Sequence, residues 1–211
     1  MEIWAVVVAG GTGTRFGGPK QLAELGGRRV LDHSIDAMRP HAAGVVVVAS
    51  ECGSAESLGV SAVVDGGSSR SASVRNGLVA VSDQATHVLI HDAARPLVGP
   101  EVVSRVTNEL TAGAEAVVPV VPVTDTLRSV DGGTVDRDRL VGVQTPQGFR
   151  LSTLLAAHGR GQDATDDAAI IEQGGIPVVH VEGSPRNIKI TVPDDLVVAE
   201  ALLGMARAGE R

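Results

Sequence analysis

The sequence predicts an α/β fold: a mainly parallel sheet with helices on both faces and one protruding β-arm, in a single domain. Three observations predict it. Short apolar, Val-rich runs recur along the chain. Each is followed by glycine-rich or polar punctuation and often by a helical stretch, the alternation expected when helices pack on a parallel sheet. One segment, residues 123–140, breaks this rhythm with polar, alternating runs.

Taken in order, Ile3–Ala9 reads as the first strand, apolar enough to be buried on both faces. Helix Val30–Met38 and strands Gly44–Ala49 and Val60–Val64 follow, then helix Ser71–Val81. His87–His91 is the fourth strand, Pro100–Thr111 a helix, Ala116–Val121 the fifth strand. Pro193–Ala208 closes as a helix, with proline in the first turn, where its missing N–H does no harm. Between the fifth strand and that helix, residues 123–140 carry turn chemistry at Asp131–Gly133 and read as a hairpin arm too polar for a core. In such sheets ligands sit beyond the carboxyl ends of the strands.

Composition narrows the partners. Among 211 residues the aromatics are only Trp4, Phe16 and Phe149, so bases cannot be stacked along a strand of nucleic acid. A net charge of −7 argues the same way, because a phosphate-backbone partner needs a basic face. Any phosphate ligand must be held by a local cluster of cations. The single cysteine, Cys52, forms no internal disulfide and fits a reducing compartment. No segment has the length of a membrane span, and Glu2 leads straight into an apolar strand without a signal peptide's basic start. A cytoplasmic protein is expected.

The first strand empties into AGGTGTRFGGPK, Ala9–Lys20. Glycines 10, 11 and 13 let backbone N–H groups close on a polyphosphate, although such a loop also serves as a plain tight turn. It is not the dinucleotide fingerprint, which wants glycine at Phe16 and an immediate helix that Gly17-Gly18-Pro19 forbids. Nor is it a P-loop, because Lys20 follows Pro19 and precedes Gln21. Arg15 and Lys20 add positive charge where a triphosphate would lie.

The fourth strand ends in HDAARP, His91–Pro96. Asp92 at a strand's carboxyl end suits Mg²⁺ or another divalent cation, which takes one or two carboxylates plus phosphate oxygens; it also suits a capped turn. Arg95 is in reach of an acceptor phosphate or hydroxyl, and His91 reads as a satisfied strand-end histidine. DGGSSRSASVRNGL, Asp65–Leu78, joins the third strand to a helix. Ser71 or Ser73 near the helix start is either a cap or part of a nucleobase pocket. Thr165 and Asp166 read as a cap for a helix through Glu172, and NIKIT, Asn187–Thr191, as a short strand carrying Lys189. Lys20 and Lys189 are the only lysines among eighteen basic residues, which points to a need for a compact ammonium at both places.

With AGGTGTRFGGPKQ, DGGSSRSASVRNGL, HDAARP, DTLR, VDR, QTPQGF, ATDDA and NIKIT in this order, the chain resembles the 2-C-methyl-D-erythritol 4-phosphate cytidylyltransferases of the non-mevalonate isoprenoid pathway, from Ala5 to about Glu200. The resemblance implies a Rossmann-like core, a homodimer joined by extended arms, Mg²⁺, and CTP and a polyol phosphate as substrates. It implies that Arg15 and Lys20 stabilise charge at the α-phosphate and that Asp92 sits at the metal. Ala9, Gly10, Gly11, Gly67, Ser68, Ser73 and Ala93 would contact CTP. Thr126, Arg137 and Lys189 would hold the acceptor's phosphate, with Arg95, Thr145 and Thr165 near its polyol. Arg137, in the arm, would reach a partner's site. A ribitol 5-phosphate cytidylyltransferase shares this core and donor. The failed fingerprint opposes a nicotinamide-dependent oxidoreductase, and a non-catalytic nucleotide-binding protein is the remaining reading.

Overall fold

The computed structural model describes residues 1–11, 13–49, 52–161 and 163–209. In chain order the elements are β1 (Ile3–Val8), β2 (Glu24–Leu25), β3 (Arg28–Arg29), α1 (Val30–Met38), β4 (Gly44–Val48), α2 (Ala55–Leu58) and β5 (Ala62–Val64). Next come α3 (Arg70–Val79), β6 (His87–Asp92), α4 (Pro100–Thr111), β7 (Ala116–Pro122), β8 (Leu127–Arg128) and β9 (Thr134–Val135). The chain then forms β10 (Val141–Val143), β11 (Gln147–Arg150), α5 (Leu151–His158), α6 (Asp167–Gln173), β12 (Val179–Glu182) and α7 (Pro193–Gly209).

The central sheet is mixed rather than wholly parallel. Strands β6, β1, β4 and β5 lie side by side and parallel. Beyond β6, the antiparallel β11 is wedged between β6 and β7, with β10 continuing along the same edge of β7. On the other edge of β7, β12 pairs in parallel. None of β10, β11 and β12 is expected from the apolar runs. Two of them contain glycine and all are short, so their strand character comes from the neighbour they pair with.

Alternation along the strands divides the core into two layers. Ala5 and Val7 of β1, with Val45, Val47 and Leu89, face α1 and α4. Val6, Val46, Val88 and Ile90 face α3, α5 and α6, joined by Phe149. Helix α3 lies so close to the sheet that a Cβ on Gly77 would stand 2.5 Å from Val6 Cγ1, so glycine is needed there. A third cluster, Leu25, Val30, Ile190 and Ala199, packs α7 against the β2–β3 hairpin, and Phe16 leans on it.

Two local expectations are corrected. Helix α3 starts at Arg70 and is capped by Ser69, whose hydroxyl accepts from Ala72 N–H at 3.1 Å; neither Ser71 nor Ser73 caps it. Asn187–Thr191 is not a strand. It is an irregular strap whose register with the sheet's end rests on Ile190 N–H donating to the Ala94 carbonyl at 2.8 Å. The expected cap before α6 is present: Asp166 accepts from Ala169 N–H at 2.9 Å. In residues 123–140, β8 and β9 pair only with each other, and nearly every residue is exposed.

Candidate active site

At the carboxyl ends of β1 and β6 lies a cavity of about 390 Å³. Ala9, Gly10 and Gly11 form one wall, Gly67, Ser68 and Ser73 another, and Asp92 and Ala93 the floor; Lys20 and Lys189 overhang it. The first wall turns sharply at Gly13, where φ is +66° and an added Cβ would stand 1.8 Å from the Gly18 carbonyl oxygen. The N–H groups of Phe16, Gly17 and Gly18 all point to the Gly13 carbonyl, closing the loop on itself. Phe16 ties it to the third apolar cluster, which is why the loop keeps an aromatic where a dinucleotide fingerprint has glycine. On the second wall, Gly67 N–H donates to Ser73 Oγ at 3.0 Å, and a Cβ on Gly67 would come within 2.4 Å of Ala72 Cβ.

The charges are concentrated. In a protein of net charge −7, the charged side chains lining the cavity among the described residues are Lys20, Arg70, Lys189 and Asp92, an excess of cations suited to a polyanion. Lys20 Nζ donates to the Ile190 carbonyl at 2.6 Å. Burial lowers its pKa, and the neighbouring Lys189 ammonium lowers it further. Lys189 Nζ donates to Asp92 Oδ2 at 2.7 Å, while Arg70 Nε lies 3.4 Å from Asp92 Oδ1. Burial alone would raise the Asp92 pKa. The Arg70 and Lys189 charges more than offset it and hold the carboxyl well below the usual carboxylate range.

Beneath the floor a buried hydrogen-bond lattice sets the direction of Asp92. Asp92 N–H donates to Thr145 Oγ1 at 3.0 Å, so the Thr145 hydroxyl is left to donate to His91 Nδ1, 3.1 Å away. His91 Nε2–H then donates to the Arg95 carbonyl at 3.2 Å. This is the neutral imidazole, and burial lowers its pKa to about 4. Arg95 donates to the carbonyls of Asn187 at 2.7 Å and Val143 at 3.3 Å, and Gln144 accepts from Ser184 N–H and Asn187 Nδ2. These bonds pin the strap that carries Lys189.

Of the residues expected at a site, Ala9, Gly10, Gly11, Lys20, Gly67, Ser68, Ser73, Asp92, Ala93 and Lys189 line one cavity. Arg15 lies exposed on the loop outside the lining, and Thr165 is exposed before α6. Arg95 and Thr145 are committed to the lattice below. Thr126 and Arg137 stand on the arm, where Arg137 bonds the Thr124 carbonyl. Arg70 is the residue that reading the sequence missed. It sits inside a motif already singled out, but its partners Asp92 and Asp167 are remote in the chain, so no spacing betrays it.

Comparison with known proteins agrees with this geometry. The family described as 2-C-methyl-D-erythritol 4-phosphate cytidylyltransferase matches residues 3–205. A 2-C-methyl-D-erythritol 4-phosphate cytidylyltransferase of Rhodococcus jostii is 45% identical, with 94% of each chain covered. A bifunctional enzyme IspD/IspF of Solidesulfovibrio magneticus is 42% identical over 95% of this chain, which spans 57% of that longer protein. The crystal structure of 2-C-methyl-D-erythritol 4-phosphate cytidylyltransferase from Thermus thermophilus superposes with a TM-score of 0.82 at 39% identity, covering 96% of this chain and 98% of that one. With fold, cavity and sequence in agreement over nearly its whole length, the chain belongs to the 2-C-methyl-D-erythritol 4-phosphate cytidylyltransferase family.

Proposed function

We propose that the protein transfers CMP from CTP to 2-C-methyl-D-erythritol 4-phosphate, releasing pyrophosphate and forming 4-diphosphocytidyl-2-C-methyl-D-erythritol in isoprenoid precursor synthesis. The observation that carries this reading is the clustering of Lys20, Lys189 and Arg70 around one cavity walled by glycine backbone. An acceptor phosphate oxygen attacks the α-phosphorus in line, and the bond to the bridging oxygen of pyrophosphate breaks. The nucleophile is already an anion, so no general base is needed, in keeping with a neutral His91 buried away from the cavity. Catalysis rests on orientation and on neutralising charge in the transition state.

In this reading the Gly10–Gly11 wall and Gly67 admit the nucleotide close to the backbone, where a side chain would hold it away. Ser68, Ser73 and Ala93 complete the CTP contacts. Lys20 and Arg15 stabilise the α-phosphate and the departing pyrophosphate, and Lys189 holds the acceptor's phosphate. Among the described residues Asp92 is the one carboxylate lining the cavity, and no cluster of three or more His, Cys, Asp or Glu among them could hold a metal alone. That donor set fits Mg²⁺ carried in largely by triphosphate oxygens, with Asp92 as its protein ligand. The ion would supply charge neutralisation at the phosphates.

The arm is read as the dimer's contribution to the site. Residues 123–140 lie outside the core layers and carry Thr126 and Arg137, which would complete a partner's acceptor pocket. Arg95, Thr145 and Thr165 would lie near the polyol. A cytoplasmic location accompanies this reading, supported by the free, buried Cys52; among the described residues no helix is long and apolar enough to cross a membrane. The test is direct: CTP and Mg²⁺ are combined with 2-C-methyl-D-erythritol 4-phosphate or with ribitol 5-phosphate, and pyrophosphate release is followed. Release with the first is expected. Release with ribitol 5-phosphate alone reassigns the acceptor, and none with either refutes the reaction.

A further inference from the structure

The two cations of the glycine-rich loop, Arg15 and Lys20, are held in different ways. Lys20 has its own anchors. Its ammonium donates to the Ile190 carbonyl at 2.6 Å, and its backbone opens the short turn Lys20–Leu22, closed by Ala23 N–H on the Lys20 carbonyl at 3.1 Å. Arg15 has none. It is exposed, and among the described residues no group hydrogen-bonds or ion-pairs with its side chain. It still stands close to the cavity's charges: burial and Lys189 lower the Lys20 pKa, and the Arg15 charge lowers it further. Where this guanidinium points therefore depends on how firmly the backbone beside it is held.

The next residue holds that backbone. Phe16 N–H donates to the Gly13 carbonyl at 2.8 Å, and Gly17 N–H donates to the same oxygen at 3.0 Å. Bonds within the loop fix its shape but not its tilt over the cavity. The Phe16 ring fixes the tilt. It is the one large apolar side chain in residues 13–20, and it packs on the cluster of Leu25, Val30, Ile190 and Ala199. An aromatic ring brings a large apolar contact to such a joint. Ile190 lies in that cluster and also takes the Lys20 ammonium, so one residue of the strap serves both anchors.

We infer that Phe16 is a positioning residue for Arg15: its ring, docked on the cluster beside α7, aims the Arg15 guanidinium at the triphosphate. This rests on the cytidylyl-transfer reading above. Phe16 is not part of the cavity lining and need not touch either substrate. Without the ring the loop still closes on the Gly13 carbonyl, but Arg15 is spread over many directions and few of them meet the phosphates. The loss falls on CTP and its reaction, not on the acceptor's contacts.

Phe16→Ala, Phe16→Leu, Arg15→Ala and the double variant Arg15→Ala/Phe16→Ala are compared by steady-state kinetics, calorimetric titration of CTP with Mg²⁺, and thermal unfolding. Phe16→Ala should lower kcat about tenfold, less than deleting a donor outright, because Arg15 is misdirected rather than absent. CTP binding should weaken as well, with KM for the polyol phosphate little changed. Phe16→Leu keeps an apolar side chain on the cluster and should recover most of both. In the Arg15→Ala background, Phe16→Ala should move neither kcat nor CTP affinity by more than about twofold, since no guanidinium is left to aim. A merely structural ring would cost the same with or without Arg15, and that result overturns the inference. So does a loss confined to acceptor KM, no recovery in folded Phe16→Leu, or normal kinetics in folded Phe16→Ala or Arg15→Ala. Where Phe16→Ala does not fold, Phe16→Val carries the same comparison. If wild-type protein releases no pyrophosphate with either acceptor, the functional reading has failed, and the CTP titrations alone decide whether Phe16 acts through Arg15.

Discussion

Lys20 and Ile190 lie 170 residues apart in the chain, yet the Lys20 ammonium donates to the Ile190 carbonyl at 2.6 Å. That bond brings Lys20 onto the strap that also presents Lys189, so both lysines of the protein overhang one cavity. An incoming triphosphate offers Lys20 a charged acceptor in place of a neutral carbonyl, and charge-assisted bonds are the stronger kind.

Lys20→Ala should therefore lower kcat on the order of 10²–10³-fold, the usual result of deleting one preorganised donor to a developing charge. Lys20→Arg should fail nearly as badly, because a planar guanidinium does not fit where a compact ammonium meets a single carbonyl. Steady-state pyrophosphate release measures both. Near-normal turnover by Lys20→Arg would remove the claim that this point charge matters.

Asp92→Asn keeps the shape of the floor and discards the charge that Arg70 and Lys189 share. If Asp92 is the protein ligand of the divalent cation, the variant should need a higher Mg²⁺ concentration for half-maximal rate and turn over more slowly. Titrating Mg²⁺ at saturating CTP checks this. An unchanged Mg²⁺ dependence would reduce Asp92 to a residue of the turn and its lattice.

Stability should fall as pH drops from 7 to 5, and His91 should carry a measurable share. Burial lowers its folded pKa to about 4, against about 6.5 unfolded. Between those values the unfolded chain binds a proton that the folded protein refuses, so stability rises with pH across that window and is lost as pH falls. The change from pH 7 to 5 is about 2 kcal/mol. His41 and His87, also lowered by burial, act in the same direction. Asp92, depressed in the fold, loses its contribution only at lower pH. Urea unfolding of wild type and His91→Gln at pH 7 and 5 isolates the term; equal pH losses in both proteins would show that His91 is not its source.

The proposed homodimer, joined by its arms, predicts that activity depends on the partner subunit. Arg137→Ala and Lys20→Ala proteins should each be nearly inactive. If Arg137 serves the partner's site, a mixed dimer has one site with both defects and one intact, so subunit exchange should restore roughly half of wild-type activity per mixed dimer. Mass spectrometry can confirm that mixed dimers have formed. No recovery in confirmed mixed dimers would mean that Arg137 acts within its own subunit.

The sequence by itself determined the layers and the cavity's walls. Its Val-rich runs suited buried strands, Gly10, Gly11 and Gly67 marked open backbone at the turns that form the cavity's walls, and Asp92 stood at a strand's carboxyl end, where such sheets bind ligands. These features are local: a period, a turn, a missing Cβ. Tertiary structure alone decided the rest. Strand β11 runs antiparallel between β6 and β7 because a gap in the sheet receives it, although Gln147–Arg150 carries no strong strand signal. Lys189 rides a strap rather than a strand because Arg95 and Gln144 take up the strap's polar groups from outside the sheet ladder. Arg70 became legible only when Asp92 and Asp167 were seen on either side of it. A counter-charge answers to distance in space, and sequence separation of 22 and 97 residues hides it.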